Sequence, residues 1–119
     1  MVTDEALREW LNQTSPYTVL ILKAGPLYSP PGPDRDPRVA AIIWKHGKRN
    51  MSLRVAGLMP LICPIADGSD YAGVSVMTVT PDEAAEIMAA DPAVQAGVLI
   101  FETHPTRSFP ESSLPAISE

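Results

Sequence analysis

Proton transfer at neutral pH needs a side chain that holds a proton loosely, and this 119-residue sequence contains few: two histidines, His46 and His104, and one cysteine, Cys63. His46 has the most telling position. Val39, Ile42, Ile43, His46, Asn50, Leu53 and Gly57 recur at helical spacings, so His46 falls in the middle of a largely apolar stripe. Asp91 falls in the same way on a stripe with Ala84, Ile87 and Met88. If both helices pack on one sheet face, each ionisable group needs a partner, because burying it alone is strongly unfavourable. An Asp91–His46 pair would satisfy both, fix the imidazole tautomer and poise the ring as a general acid or base. The structural alternative is a satisfied core histidine beside an aspartate that caps the N–H groups of a helix end.

The other candidates carry less. Glu102 and His104 share one face of the last strand, but two ligand types without a third make a poor metal site, and a surface or dimer-rim role is expected instead. Lys45, Lys48, Arg49 and Arg54 are expected to form the solvated face of their helix. Arg107, just past the last strand, is a candidate to close over a substrate carboxylate or phenolate. Tyr28 and Pro64 are the other candidate substrate-binding residues. Cys63 has no basic neighbour in sequence to activate it and reads as a buried edge-strand thiol. No Gly-rich phosphate loop, nucleophile elbow or zinc spacing occurs, so neither a cofactor nor a metal is expected.

The elements that must position these groups follow from local signals. Thr3 caps a short amphipathic helix running to about Thr14, with Asp4 and Glu5 in its first turn. Residues 17–23 form a strand apolar on both faces, bounded by Pro16 and Gly25-Pro26. A proline-rich loop, residues 25–35, follows; loops of this length in a compact domain are often functional. Asp36-Pro37 opens the helix that carries His46. Residues 58–65 read as an edge strand, since Pro60 and Pro64 cannot donate to a ladder, and residues 71–79 as the next strand. Thr80-Pro81-Asp82-Glu83 is a capping box that starts a helix ending at Asp91-Pro92. Residues 98–103 form the last strand. The result is one domain over residues 1–119, with an N-terminal helical extension (1–15) and a Pro- and Ser-rich tail (105–119) expected to wrap the surface or a partner.

The order strand, helix, strand, strand, helix, strand predicts an α+β fold of the ferredoxin-like, split-βαβ kind: a four-stranded antiparallel sheet in the order 4-1-3-2 with two helices on one face. The other face needs cover, and a second copy of the chain, forming a homodimer, is the simplest source.

Composition bounds the function. With 45 % hydrophobic and 19 % charged residues the chain can bury a core, and a net charge of −5 argues against nucleic acid as a partner. A single cysteine, the absence of a long apolar run and an acidic start predict a cytoplasmic protein without membrane association.

His46, followed by Gly57-Leu58 and then Pro64, and the segment Asp91-Pro92-Ala93-Val94-Gln95-Ala96-Gly97-Val98, resemble the pattern of the YCII-related family over about residues 17–109. That resemblance implies a ferredoxin-like dimer of the dimeric α+β barrel type with an active site on a His–Asp pair, here His46 and Asp91. One member of that family dehydrochlorinates a chlorinated hydroxyquinol. Cys63 stands where the family usually has glycine, and the first strand-to-helix loop is longer and richer in proline. The resulting expectation is a cofactor-independent enzyme performing elimination, isomerisation or hydrolysis on a small, aromatic or hydroxylated molecule. The rivals are a non-catalytic ligand-binding or accessory module and a purely structural oligomerisation domain.

Overall fold

The computed structural model describes residues 1–111 and 114–117. Its elements are α1 (Asp4–Asn12), β1 (Ser15–Ala24), α2 (Pro37–Val55), β2 (Leu61–Pro64), β3 (Tyr71–Met77), α3 (Pro81–Ala89), α4 (Pro92–Gln95) and β4 (Leu99–Ser108). The strands form one antiparallel sheet in the order β2-β3-β1-β4. This α+β arrangement is compatible with a ferredoxin-like fold. Among the described residues no helix is long and apolar enough to cross a membrane.

Helix starts follow the predicted chemistry. Thr3 accepts from the Ala6 N–H, Asp36 accepts from Arg38 with Pro37 at the first helical position, and Thr80 and Glu83 close the capping box reciprocally. Each cap contributes about 1 kcal/mol by giving orphan N–H groups an acceptor.

Several boundaries differ from the sequence expectation, β1 among them: it runs from Ser15 through Pro16 to Ala24 and takes Ser15 from the expected helical extension. The helix from Pro81 ends at Ala89 and does not reach Asp91, because Pro92 drives its predecessor out of the helical region; Asp91 is extended and caps a separate short helix, α4. Residues 58–60 are not in β2, since the Leu58 and Met59 N–H groups both bond to the Leu53 carbonyl and close α2 around Gly57 at φ +78°, and Pro60 has no N–H. β3 stops at Met77, where the Thr78 N–H turns to the Leu58 carbonyl and its hydroxyl to that of Gly57. β4 runs through Pro105 to Ser108, taking four residues from the expected tail; proline is tolerated there because β4 is a sheet edge. Of the rest of that tail, Ser112, Ser113, Ser118 and Glu119 lie outside the described residues.

The two faces of the sheet meet different surroundings. Leu20, Leu22, Met77 and Leu99 are buried against Val39 of α2, Ala84 and Met88 of α3, and Ala93 of α4. Each such large apolar side chain contributes about 1.5–3 kcal/mol on burial. On the opposite face Val19, Ile21, Val74 and Val76 are only partly buried, and Ile100 is exposed. α1 buries none of its residues and leaves Leu7, Trp10 and Leu11 about half exposed.

Candidate functional site

His46 and Asp91 meet, although they are 45 residues apart in sequence. The helical stripe aims the imidazole at the junction of α3 and α4, and the extended backbone of Asp91 turns its carboxylate back to meet it. His46 Nδ1 lies 2.9 Å from Oδ1 and 3.0 Å from Oδ2. Oδ2 also accepts from the N–H groups of Ala93 (2.9 Å) and Val94 (3.3 Å). The paired and the capping readings of Asp91 are therefore two halves of one arrangement: the carboxylate that caps α4 also holds the imidazole.

Asp91 is fully buried and His46 is 8 % exposed. Burial by itself would push the Asp91 carboxyl up. The hydrogen bond and charge of His46, joined by the Ala93 and Val94 N–H groups, outweigh it and hold the carboxyl below the ordinary carboxylate range. A carboxylate only accepts, so Nδ1 of His46 carries a hydrogen, and in the neutral ring Nε2 is the acceptor. Asn50, one helical turn on and 5 % exposed, places Nδ2 3.1 Å from that Nε2. Its Oδ1 is buried without a hydrogen-bond partner.

A cavity of about 430 Å³ lies between α2 and the sheet, lined by the His46 and Asn50 side of α2. Leu22, Ile43, Met51 and Ile62 make its walls largely apolar, and Ser75 of β3 adds a hydroxyl. The proline-rich loop covers part of it through Tyr28, Pro31 and Arg35. That loop is pinned at its root: the Gly25 N–H donates to the Val98 carbonyl (2.8 Å) and the Leu27 N–H to that of Gly97 (2.9 Å). A Cβ on Gly25 would lie 2.5 Å from the Gly97 carbonyl oxygen, so only glycine allows this approach. Arg35 Nε donates to the Ser29 carbonyl (2.9 Å), and its guanidinium sits 5.6 Å from the centre of the Tyr28 ring.

Of the residues singled out from sequence, His46, Tyr28 and Pro64 line the cavity, and Asp91 stands directly behind His46. Arg107 is elsewhere. It lies opposite Pro16 at the far end of β1 from Leu22, and both its hydrogen bonds go to Thr14 (3.0 and 2.7 Å). Cys63 pairs with Val74, which puts its side chain on the sheet face away from the helices. Glu102 is shared between Lys23 (2.8 Å) and His104 (3.3 Å) at a partly exposed site on that same face.

Two residues carry more than their types suggested. Arg49, expected on the solvated face, instead folds inward: Nη2 donates to the Ile87 carbonyl (2.7 Å) and Nη1 lies 3.7 Å from Asp91 Oδ1. Asn50 was part of the helical stripe, and a polar residue four positions after His46 on a buried face was the signal available for its role. Comparison with protein-family models and with curated proteins finds no match for this chain.

Proposed function

We propose that this chain is a small-molecule enzyme of the YCII-related, ferredoxin-like kind, working as a homodimer. In this reading His46 exchanges a proton with a small organic substrate, aromatic or hydroxylated, held in the cavity above α2. Asp91 orients the ring, fixes its tautomer and balances its charge. The reaction class is elimination, isomerisation or hydrolysis without a cofactor.

The observation that carries this reading is the single carboxylate that both caps α4 and grips the Nδ1 of His46, a residue that lines an apolar cavity large enough for a small molecule. The partly buried apolar strip of Val19, Ile21, Val74 and Val76 supports a second copy on the outer sheet face. Asp91 is a poor candidate for the acid, since its four hydrogen-bond contacts with His46, Ala93 and Val94, and the Arg49 guanidinium 3.7 Å away, all favour the anion.

One observation favours the rival, a non-catalytic ligand-binding module. Asn50 Nδ2 occupies the nitrogen a general base would use. Turnover separates the two readings. The full chain and its His46→Ala variant are compared over a panel of small halogenated and hydroxylated aromatics, lactones and esters, with folding checked by circular dichroism. The enzyme reading expects at least one compound to be turned over and the variant to lose that rate while staying folded. An unchanged rate in His46→Ala would remove His46 from the chemistry, and ligand binding without turnover of any compound would assign the site to binding alone.

A further inference from the structure

We propose that Asn50 is the specificity-determining residue of this cavity, matching the hydrogen-bond polarity of the bound ligand to the charge of His46. The inference rests on the reading of the cavity as a ligand site. Its starting point is an atom without a partner: Asn50 is 5 % exposed, its Nδ2 faces His46 Nε2 at 3.1 Å, and its Oδ1 is buried and unbonded. A buried polar atom left unpaired is destabilising, and Asn50 is among the residues lining the cavity, so a small rotation of its side chain toward the cavity lets a ligand supply what the protein does not.

The two charge states of His46 require opposite orientations of this amide. With Nδ1–H held by Asp91, neutral His46 offers a lone pair at Nε2 and needs the amide nitrogen there, which turns the oxygen away. Protonated His46 offers an N–H at Nε2 and needs the amide oxygen there, which turns the NH₂ away. The neutral state thus presents an acceptor to the ligand, and the charged state presents a donor. A ligand bearing a hydroxyl or N–H donor holds His46 neutral; one bearing a carbonyl or an oxyanion draws a proton onto it. A substrate hydroxyl that loses its proton changes from the first kind to the second. Because one end of the amide holds Nε2 in either orientation, direct transfer of that proton to Nε2 requires the Asn50 side chain to swing off the nitrogen.

The charged and titratable groups around His46 are few. Asp91 faces Nδ1 from the start of α4, and Arg49 of α2 sits 3.7 Å from the same carboxylate. Across the cavity stand Arg35 and Tyr28 of the loop; the Cys63 thiol of β2 lies on the opposite face of the sheet. None of them contacts the Asn50 amide among the described residues. The amide is therefore the group positioned to sense ligand polarity beside Nε2.

The test uses two probes of equal heavy-atom count and opposite polarity, indole as a donor and acetophenone as an acceptor. Both are titrated into the full chain across the protonation range of His46, followed by its ring ¹⁵N shifts. The expected result is that acetophenone binds at least about fivefold tighter when His46 is protonated and indole at least about fivefold tighter when it is neutral. In Asn50→Leu the two pH profiles should coincide. If that variant does not fold, Asn50→Asp, which when ionised can only accept, should retain indole and reject acetophenone. Coincident profiles in the unmodified chain, or a split that survives in Asn50→Leu, would overturn the role of Asn50 while leaving a ligand cavity in place. If neither probe perturbs the cavity residues, the ligand-site reading fails together with the inference.

Discussion

Replacing Asp91 by asparagine separates the two tasks of its side chain. Asparagine caps helices about as well as aspartate, so its single oxygen can keep the Ala93 and Val94 N–H groups and the start of α4 should survive. The amide nitrogen replaces Oδ1 beside His46 Nδ1, a donor set against a donor, and Oδ2, 3.0 Å from Nδ1, is left as the one acceptor for its hydrogen. The bond from His46 then loses its charge assistance, at a cost of about 1 kcal/mol. Asp91→Ala loses the cap as well and leaves His46 and two N–H groups unsatisfied, for a total of about 3–5 kcal/mol. Urea unfolding gives the two stabilities. The double role of Asp91 is refuted if Asn and Ala cost the same, or if both cost less than about 0.5 kcal/mol.

Three further outcomes follow from the same geometry. Because the folded state holds the Asp91 carboxyl below its unfolded value, its contribution is fully present above about pH 4 and is lost as the pH falls through the folded value; acid titrations should show less loss of stability over that window in Asp91→Asn than in the unmodified chain. Gly47 lies inside α2 at the edge of the cavity, where an added Cβ meets nothing within 4 Å. Gly47→Ala should therefore raise stability by about 0.5–1 kcal/mol in urea unfolding, whereas Gly47→Leu should keep the fold and weaken binding of indole measured by calorimetry. On the outer face Ile21 is paired with Glu102, so Ile21→Lys gains an opposite charge in the isolated chain but places a charge in any sheet-to-sheet interface. Sedimentation should show a folded monomer for that variant and a dimer for the unmodified chain; a monomer in both cases removes the homodimer.

What was legible in the sequence was whatever local chemistry decides. Thr80-Pro81-Asp82-Glu83 and Asp36-Pro37 announced their helices because caps act within four residues. The stripe through Val39, His46 and Leu53 placed the imidazole correctly because a helix of 19 residues averages over many turns. α4 is not legible in the sequence, although Asp91-Pro92 repeats the Asp36-Pro37 signal, because the helix it begins has only four residues and shows no periodicity. The meeting of His46 and Asp91 does not depend on that boundary, since what the pairing needs is the position of Asp91 beside α2 and not its place within α3. Arg49 and Arg107 were placed by type alone: a long side chain can fold inward to a carbonyl or be tied to a neighbouring turn, and nothing in its sequence neighbourhood fixes that choice. The orphaned oxygen of Asn50 is a property of packed surroundings and has no sequence signature.

Proton exchange with a bound molecule is the centre of the account, and it can be measured without knowing the natural reaction. In D₂O, the full chain is incubated with small hydroxylated aromatics and ketones, and deuterium incorporation at carbon is followed by NMR beside the His46→Gln variant. The account predicts that the chain accelerates incorporation into at least one compound and that the variant loses about 100-fold or more of that rate. Equal incorporation with chain and variant, or none above the rate in buffer, would contradict it.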